Sequence, residues 1–172
     1  MKFTLNWLKQ HLDTQASLEQ ICERLTAIGL EVESVEDRAK IYAPFKVAYV
    51  ESAVQHPNAD RLRVCMVKTE KGTLQVVCGA PNARAGMKGI FAPEGSVIPA
   101  SGLVLKKGKI RDVESNGMLV SEEEMVLPET IDGIIEVDEK WEIGTPLAEV
   151  FGLNDPVIEI NLTPNRIDCA GV

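Results

Sequence analysis

The sequence predicts an α+β protein that is mainly β, with five short strands forming a small barrel or sandwich at its centre. Three observations point there. The two amphipathic helical stripes lie before Gly29, the apolar period shortens to two beyond Ile41, and turn signals then recur every ten residues or so with no long helix between them. At 172 residues the chain suits one ordinary domain or one and a half small ones. An apolar share of 45% with only 5% aromatics predicts a core of Val, Ile and Leu.

Taken in order, Phe3–Leu12 carries Leu5, Leu8 and Leu12 at helical spacing, with Trp7 alongside, and predicts a short amphipathic helix. His11 falls on it as a surface residue. Ser17 with Gln20 three residues later is a capping-box pattern. It opens a helix whose apolar stripe is Leu18, Ile21, Cys22, Leu25 and Ile28, and Gly29 supplies the left-handed stop. Leu30–Val35 reads as a strand. Val47–Val54 is the next strand, ended by the turn His56-Pro57-Asn58-Ala59-Asp60. Leu62, Val64 and Met66 alternate with Arg61, Arg63 and Cys65, and a tight turn at Glu70-Lys71-Gly72 leads into Leu74–Cys78, a hairpin pattern. Gly79-Ala80-Pro81-Asn82 breaks it, and Gly86–Ala92 is a further short strand before the loop marked by Pro93, Gly95 and Pro99.

Leu103–Val113 is the most basic piece. Beyond it come a turn at Ser115-Asn116-Gly117, a strand at Met118–Val120, and a second capping-box pair, Ser121 with Glu124, predicting one helical turn. Gly133–Val137 is a strand, Thr145-Pro146 opens a short helix closed by Gly152, and Val157–Leu162 is the last strand. This spacing favours a barrel of the OB type. The chain ends at Val172 without a capped helix or polar tail, as a piece of a longer polypeptide would.

Composition excludes several classes. No apolar run approaches the roughly 20 residues that cross a bilayer, and the start lacks a signal-peptide core. Cys22, Cys65, Cys78 and Cys169 never fall at C-x-x-C spacing, which predicts reduced, mostly buried thiols in a cytoplasmic protein. There is no phosphate-cradling loop, dinucleotide fingerprint or nucleophile elbow. His56 and Asp60 are four apart, but Pro57 forbids the helix that would make this ligand spacing, so a structural turn is expected. Glu122-Glu123-Glu124 reads as a solvated cap, because adjacent side chains on a helical turn diverge. No catalytic residue, metal site or cofactor is expected in this chain.

Charge is what remains. Between His56 and Arg111 ten Lys/Arg face three Asp/Glu, a local +7 in a chain of net −8. Residues 1–55 carry −2 and residues 112–172 carry −13. Lysines also protect exposed strand edges, yet a basic island on an OB-like strand pattern points to nucleic acid. Lys106, Lys107, Lys109 and Arg111 are the principal candidate contacts, with Arg84, Lys88 and Asn82 secondary. The only aromatic from His56 to Arg111 is Phe91. That argues against base stacking and for backbone and shape contacts to a folded RNA.

Three clusters then match a known pattern. His56-Pro57-Asn58-Ala59-Asp60-Arg61-Leu62-Arg63-Val64-Cys65, Val76-Val77-Cys78-Gly79-Ala80-Pro81-Asn82 and Lys109-Ile110-Arg111-Asp112-Val113-Glu114-Ser115-Asn116-Gly117-Met118 resemble the OB-type tRNA-binding domain, also found in methionyl-tRNA synthetases and free-standing tRNA-binding proteins. The flanks Leu5-Asn6-Trp7-Leu8, Gly29-Leu30-Glu31-Val32-Glu33 and Thr163-Pro164-Asn165-Arg166-Ile167-Asp168-Cys169 resemble the start of the bacterial phenylalanyl-tRNA synthetase β subunit. Asp112 stands where glycine is usual in that pattern and Val120 where cysteine is usual.

The resemblance implies a five-stranded OB barrel, residues 41–153, inserted into a small helix-containing, winged-helix-like domain formed by residues 1–40 and 154–172. It implies editing and anticodon-binding regions beyond Val172. It also implies tRNA-Phe as ligand and an α subunit holding ATP, magnesium and the aminoacylation site in an α2β2 assembly. Pro57, Asn58, Asp60, Gly79 and Gly117 would shape loops. Two other readings compete: a free-standing dimeric tRNA-binding or chaperone-like protein, which usually lacks the helical leader and the 163–169 tail, and a protein-interaction module whose lysines only guard an edge.

Overall fold

The computed structural model describes residues 1–128 and 131–169. It is mainly β with few helices, as predicted. The chain opens with strand β1 (Lys2–Thr4), helix α1 (Leu5–His11), helix α2 (Leu18–Ala27), strand β2 (Leu30–Glu36) and a short helix α3 (Arg38–Tyr42). Strands β3 (Lys46–His56), β4 (Ala59–Thr69), β5 (Gly72–Cys78), β6 (Lys88–Ala92), β7 (Gly108–Ile110), β8 (Val113–Ser115), β9 (Met118–Leu119) and β10 (Glu136–Val137) follow. Helix α4 (Leu147–Val150), strand β11 (Val157–Leu162) and a 3-10 segment (Pro164–Cys169) complete it.

Two compact units result, one from Met1–Lys40 with the segment from Gly152 onward, the other Ile41–Phe151. In the first, an antiparallel sheet of order β1-β11-β2 packs Ile158 and Ile160 against Ile21 and Leu30. The capping box that opens α2 is formed: Gln20 N–H donates to Ser17 Oγ at 3.3 Å and Ser17 N–H to Gln20 Oε1 at 3.0 Å. Gly29, with φ of +91°, ends the helix in the left-handed region. The predicted helix start at Phe3 is corrected: Lys2, Phe3 and Thr4 pair with Glu159, Ile158 and Val157, and Thr4 caps α1 from outside. A partner more than 150 residues away overrides local periodicity there.

The second unit is an antiparallel sheet of order β10-β6-β3-β4-β5, with β9 added to β6. β3 and β4 are each 11 residues long, and β3 bends at register shifts near Val50/Ser52 and Gln55/His56. Inward-facing Ala48, Val50, Cys65, Val67, Val76 and Cys78 alternate along the strands and form the core with Met87, Phe91 and Leu119. The capping-box turn after Ser121 is present, with Glu124 N–H donating to Ser121 Oγ at 3.3 Å. The expected solvated cap is corrected at Glu122, which is buried and accepts the Ile131 N–H at 2.7 Å. Predicted strand Gly133–Val137 contracts to Glu136–Val137, because Asn82 rather than a strand pairs with Ile134.

All four cysteines are free. Burial, then neighbouring Cys78, pushes the Cys65 thiol up to about 11, with Arg63 opposing, and burial likewise raises Cys78. We expect Ellman's reagent at neutral pH to label Cys22 and Cys169 in the folded chain, with Cys65 and Cys78 following only on denaturation. The same shift has a sign in stability. Above the unfolded thiol's ordinary range the unfolded chain loses this proton while folded Cys65 keeps it, so its contribution falls as pH rises towards 11.

Candidate nucleic-acid interface

The four principal basic residues fall on one short stretch. Lys106 and Lys107 lead into β7, Lys109 lies within it, and Arg111 occupies the two-residue turn to β8. All four are exposed, and none has an ion-pair partner among the described residues. Their nearest sequence neighbours of opposite sign are Asp112 and Glu114, the latter in register with Lys109. Lys106 lines an open groove of about 700 Å³ together with Gly79, Gly108 and Gly117, and Glu123, Glu124 and Asp132 line it as well. Glu114 in turn lines a smaller pocket with Lys107 and Lys109, so carboxylates flank all three lysines.

Arg111 and Asp112 both have positive φ, +48° and +72°, the signature of a type I′ hairpin turn. L-residues there carry strain of about 1 kcal/mol each. Replacing Asp112 by glycine relieves one of them against a modest entropic cost in the unfolded chain. We expect Asp112→Gly to gain about 0.5 kcal/mol, read as a small rise in thermal midpoint.

A hairpin of two three-residue strands is marginal alone, and side chains fix it from outside. Ser115 Oγ accepts the Val77 N–H at 3.0 Å and donates to Gly117 O at 3.0 Å. Gln75 Nε2 donates to Glu114 O at 2.8 Å, and Gln75 O accepts the Asn116 N–H at 2.9 Å. The turn Ser115-Asn116-Gly117 thus fastens β8 to the edge of β5. At the other end His56, 2% exposed, contacts Ile110 O through Nε2 at 3.0 Å.

The secondary candidates lie elsewhere and are engaged. Asn82 acts as a surrogate strand, its Nδ2 donating to Ile134 O at 2.8 Å and its Oδ1 accepting the Ile134 N–H at 3.0 Å. Arg84 forms a bidentate pair with Glu136. Lys88 Nζ donates to the carbonyls of Glu139 and Trp141, each at 2.7 Å. In the His56–Asp60 turn the imidazole is buried and bonded to Asn58 and Ile110. Arg61 was not singled out by sequence reasoning, and only its charge marks it. It is exposed and without an ion-pair partner among the described residues. Among the described residues no group of three or more His, Cys, Asp or Glu could hold a metal ion, and no helix is long and apolar enough to cross a membrane.

The family model of the tRNA binding domain matches residues 45–146, which contain the hairpin, the Asn82 clamp and the His56 turn. The phenylalanine–tRNA ligase beta subunit of Nitrobacter winogradskyi is 58% identical over 179 residues, covering 100% of this chain and 22% of its own length. That of Rhodopseudomonas palustris is 56% identical over 174 residues, again across 100% of this chain and 22% of its own. Among solved structures, a MetRS related protein from Pyrococcus horikoshii is 26% identical, with a TM-score of 0.47, over 65% of this chain and 96% of that one. The chain spans about a fifth of the length of the curated relatives it matches. Their matches cover the whole of this chain, the helical leader and the 163–169 tail included, which disfavours the free-standing alternative. The chain belongs to the tRNA binding domain family and is homologous to part of the phenylalanine–tRNA ligase beta subunit.

Proposed function

We propose that this chain is a non-catalytic, tRNA-contacting portion of a phenylalanine–tRNA ligase, with Lys106, Lys107, Lys109 and Arg111 as the contact. The observation that carries this is a run of four exposed cations without carboxylate partners among the described residues, on a hairpin fastened at both ends and the segment leading into it. At physiological ionic strength the Debye length is about 8 Å. Charges more than that distance away in a chain of net −8 are therefore largely screened from this patch, which leaves its immediate neighbours Asp112 and Glu114 as the nearest opposition in sequence. Phe91, the one aromatic between His56 and Arg111, is buried, which leaves that stretch without a stacking platform. Recognition then rests on phosphates and shape, and the ligand is tRNA-Phe. Asn82, Arg84 and Lys88 act by shaping the domain.

The parent reaction is the ATP-dependent esterification of tRNA with phenylalanine in the cytoplasm. ATP and magnesium reside in the α subunit of an α2β2 assembly. We read this antiparallel sheet as an OB-type barrel spanning residues 41–153, inserted into a winged-helix-like domain made of residues 1–40 and 154–172.

Filter binding of tRNA-Phe to the chain tests the contact. Four phosphate contacts give a log–log salt slope of about −3 to −4. Changing Lys106, Lys107 and Lys109 to Glu should remove most of that slope and most of the affinity at low salt. Unchanged affinity would sink the assignment. Loss of tRNA binding altogether in the wild type, with retained capture of an α subunit, would favour the protein-interaction reading.

A further inference from the structure

We propose that the turn from Gln55 to Arg61 is the second half of the RNA contact, with Arg61 as its cation and His56 as the positioning residue that joins it to the basic hairpin. This rests on the RNA-binding reading above and adds residues that reading does not include. The turn and the hairpin tip are bonded to each other at two points. His56 accepts the Asn58 N–H at Nδ1, 3.0 Å, and so presents a protonated Nε2 to Ile110 O, also at 3.0 Å. Asn58 and Arg111 complete the join, Arg111 Nη1 donating to Asn58 O at 3.3 Å and Asn58 Nδ2 facing Arg111 O at 3.5 Å.

Both ring nitrogens of a buried imidazole are thereby satisfied, one by Asn58 two residues on and the other by Ile110 54 residues away. On the turn side, Ala59 pairs with His56 and Arg63 with Gln55, which leaves Asp60, Arg61 and Leu62 in a bulge. Gln55 Nε2 pins that bulge, donating to the carbonyls of Ala59 and Asp60 at 2.9 Å and of Leu62 at 3.3 Å. A long, exposed arginine is thus mounted on backbone held from beneath. A loose hairpin would have to be ordered on binding, and the His56 join removes that cost in advance.

His56 variants separate its two bonds. Gln at this position reaches Ile110 O but no longer accepts from Asn58. Asn accepts from Asn58 but falls short of Ile110. In tRNA-Phe binding at low salt we expect His56→Gln to stay close to wild type and His56→Asn to weaken affinity by about tenfold. We expect Arg61→Ala to reduce the salt slope by about one. Thermal unfolding and amide spectra of residues 108–113 establish that each variant is folded and whether its hairpin has moved. A folded His56→Asn chain that binds as wild type, or an unchanged slope in Arg61→Ala, overturns the proposal. If the triple lysine-to-glutamate chain loses binding while these variants do not, only this inference fails. If the triple variant binds normally, the RNA reading itself has failed.

Discussion

Gly117→Ala is expected to destabilise the chain by about 3–5 kcal/mol. Gly117 has φ of +134°, a region that side-chain-bearing residues essentially do not occupy. A Cβ built there would lie 2.6 Å from Ala92 O and 2.6 Å from two carbons of the Phe91 ring. Neither can retreat cheaply, since Phe91 is buried and Ala92 pairs with Met118 in the ladder between β6 and β9. The backbone strain and the overpacking therefore add. Denaturant unfolding should show a large drop in midpoint with an unchanged slope. A loss below 1 kcal/mol would mean that the β6–β9 pairing is looser than described.

The second large effect is at Asn82. Asn82→Ala deletes both halves of the clamp on Ile134 and leaves a buried backbone N–H and C=O without partners, at a cost of about 2–4 kcal/mol. Its neighbour Gly133 confirms how close the approach is, because any Cβ there would strike the Asn82 amide. Binding should behave differently from stability. In a folded Asn82→Ala chain the tRNA salt slope should equal that of the wild type, because the phosphate-facing cations are untouched. A several-fold loss of tRNA affinity at unchanged slope, with little loss of stability, would instead return this neutral side chain to the contact surface.

Much of this was legible from residues alone, and the boundary is physical. The capping box at Ser17, the stop at Gly29, the turn at Glu70-Lys71-Gly72 and the strand Val157–Leu162 are written in patterns whose causes lie within a few residues. What escaped depends on distant partners. Lys2–Thr4 is a strand because of Glu159, Ile158 and Val157. Glu122 is buried because Ile131 offers it an amide, and Asn82 clamps a segment 52 positions later. The basic hairpin was visible as charge but not as two strands, since each is only three residues and gains its place from Gln75, Ser115 and His56. Arg84 and Lys88 illustrate the same limit for function. Their charge is plain in sequence, while the partners that occupy them are not.

The division of the chain has a kinetic consequence. The unit containing Met1 needs strands from both sides of Ile41–Phe151 before its sheet can close, whereas the intervening unit is contiguous. Within that contiguous unit, Leu147 N–H donates to Phe45 O at 2.9 Å and Val47 N–H to Thr145 O at 2.9 Å, so its entry and exit run side by side. Once it has condensed, the search that brings β11 to β1 and β2 is shortened from a free loop of over a hundred residues, worth about 4 kcal/mol of closure entropy, to a short local encounter. Assembly on the ribosome is then ordered from the inside outward, with the sheet that holds the first residues formed last.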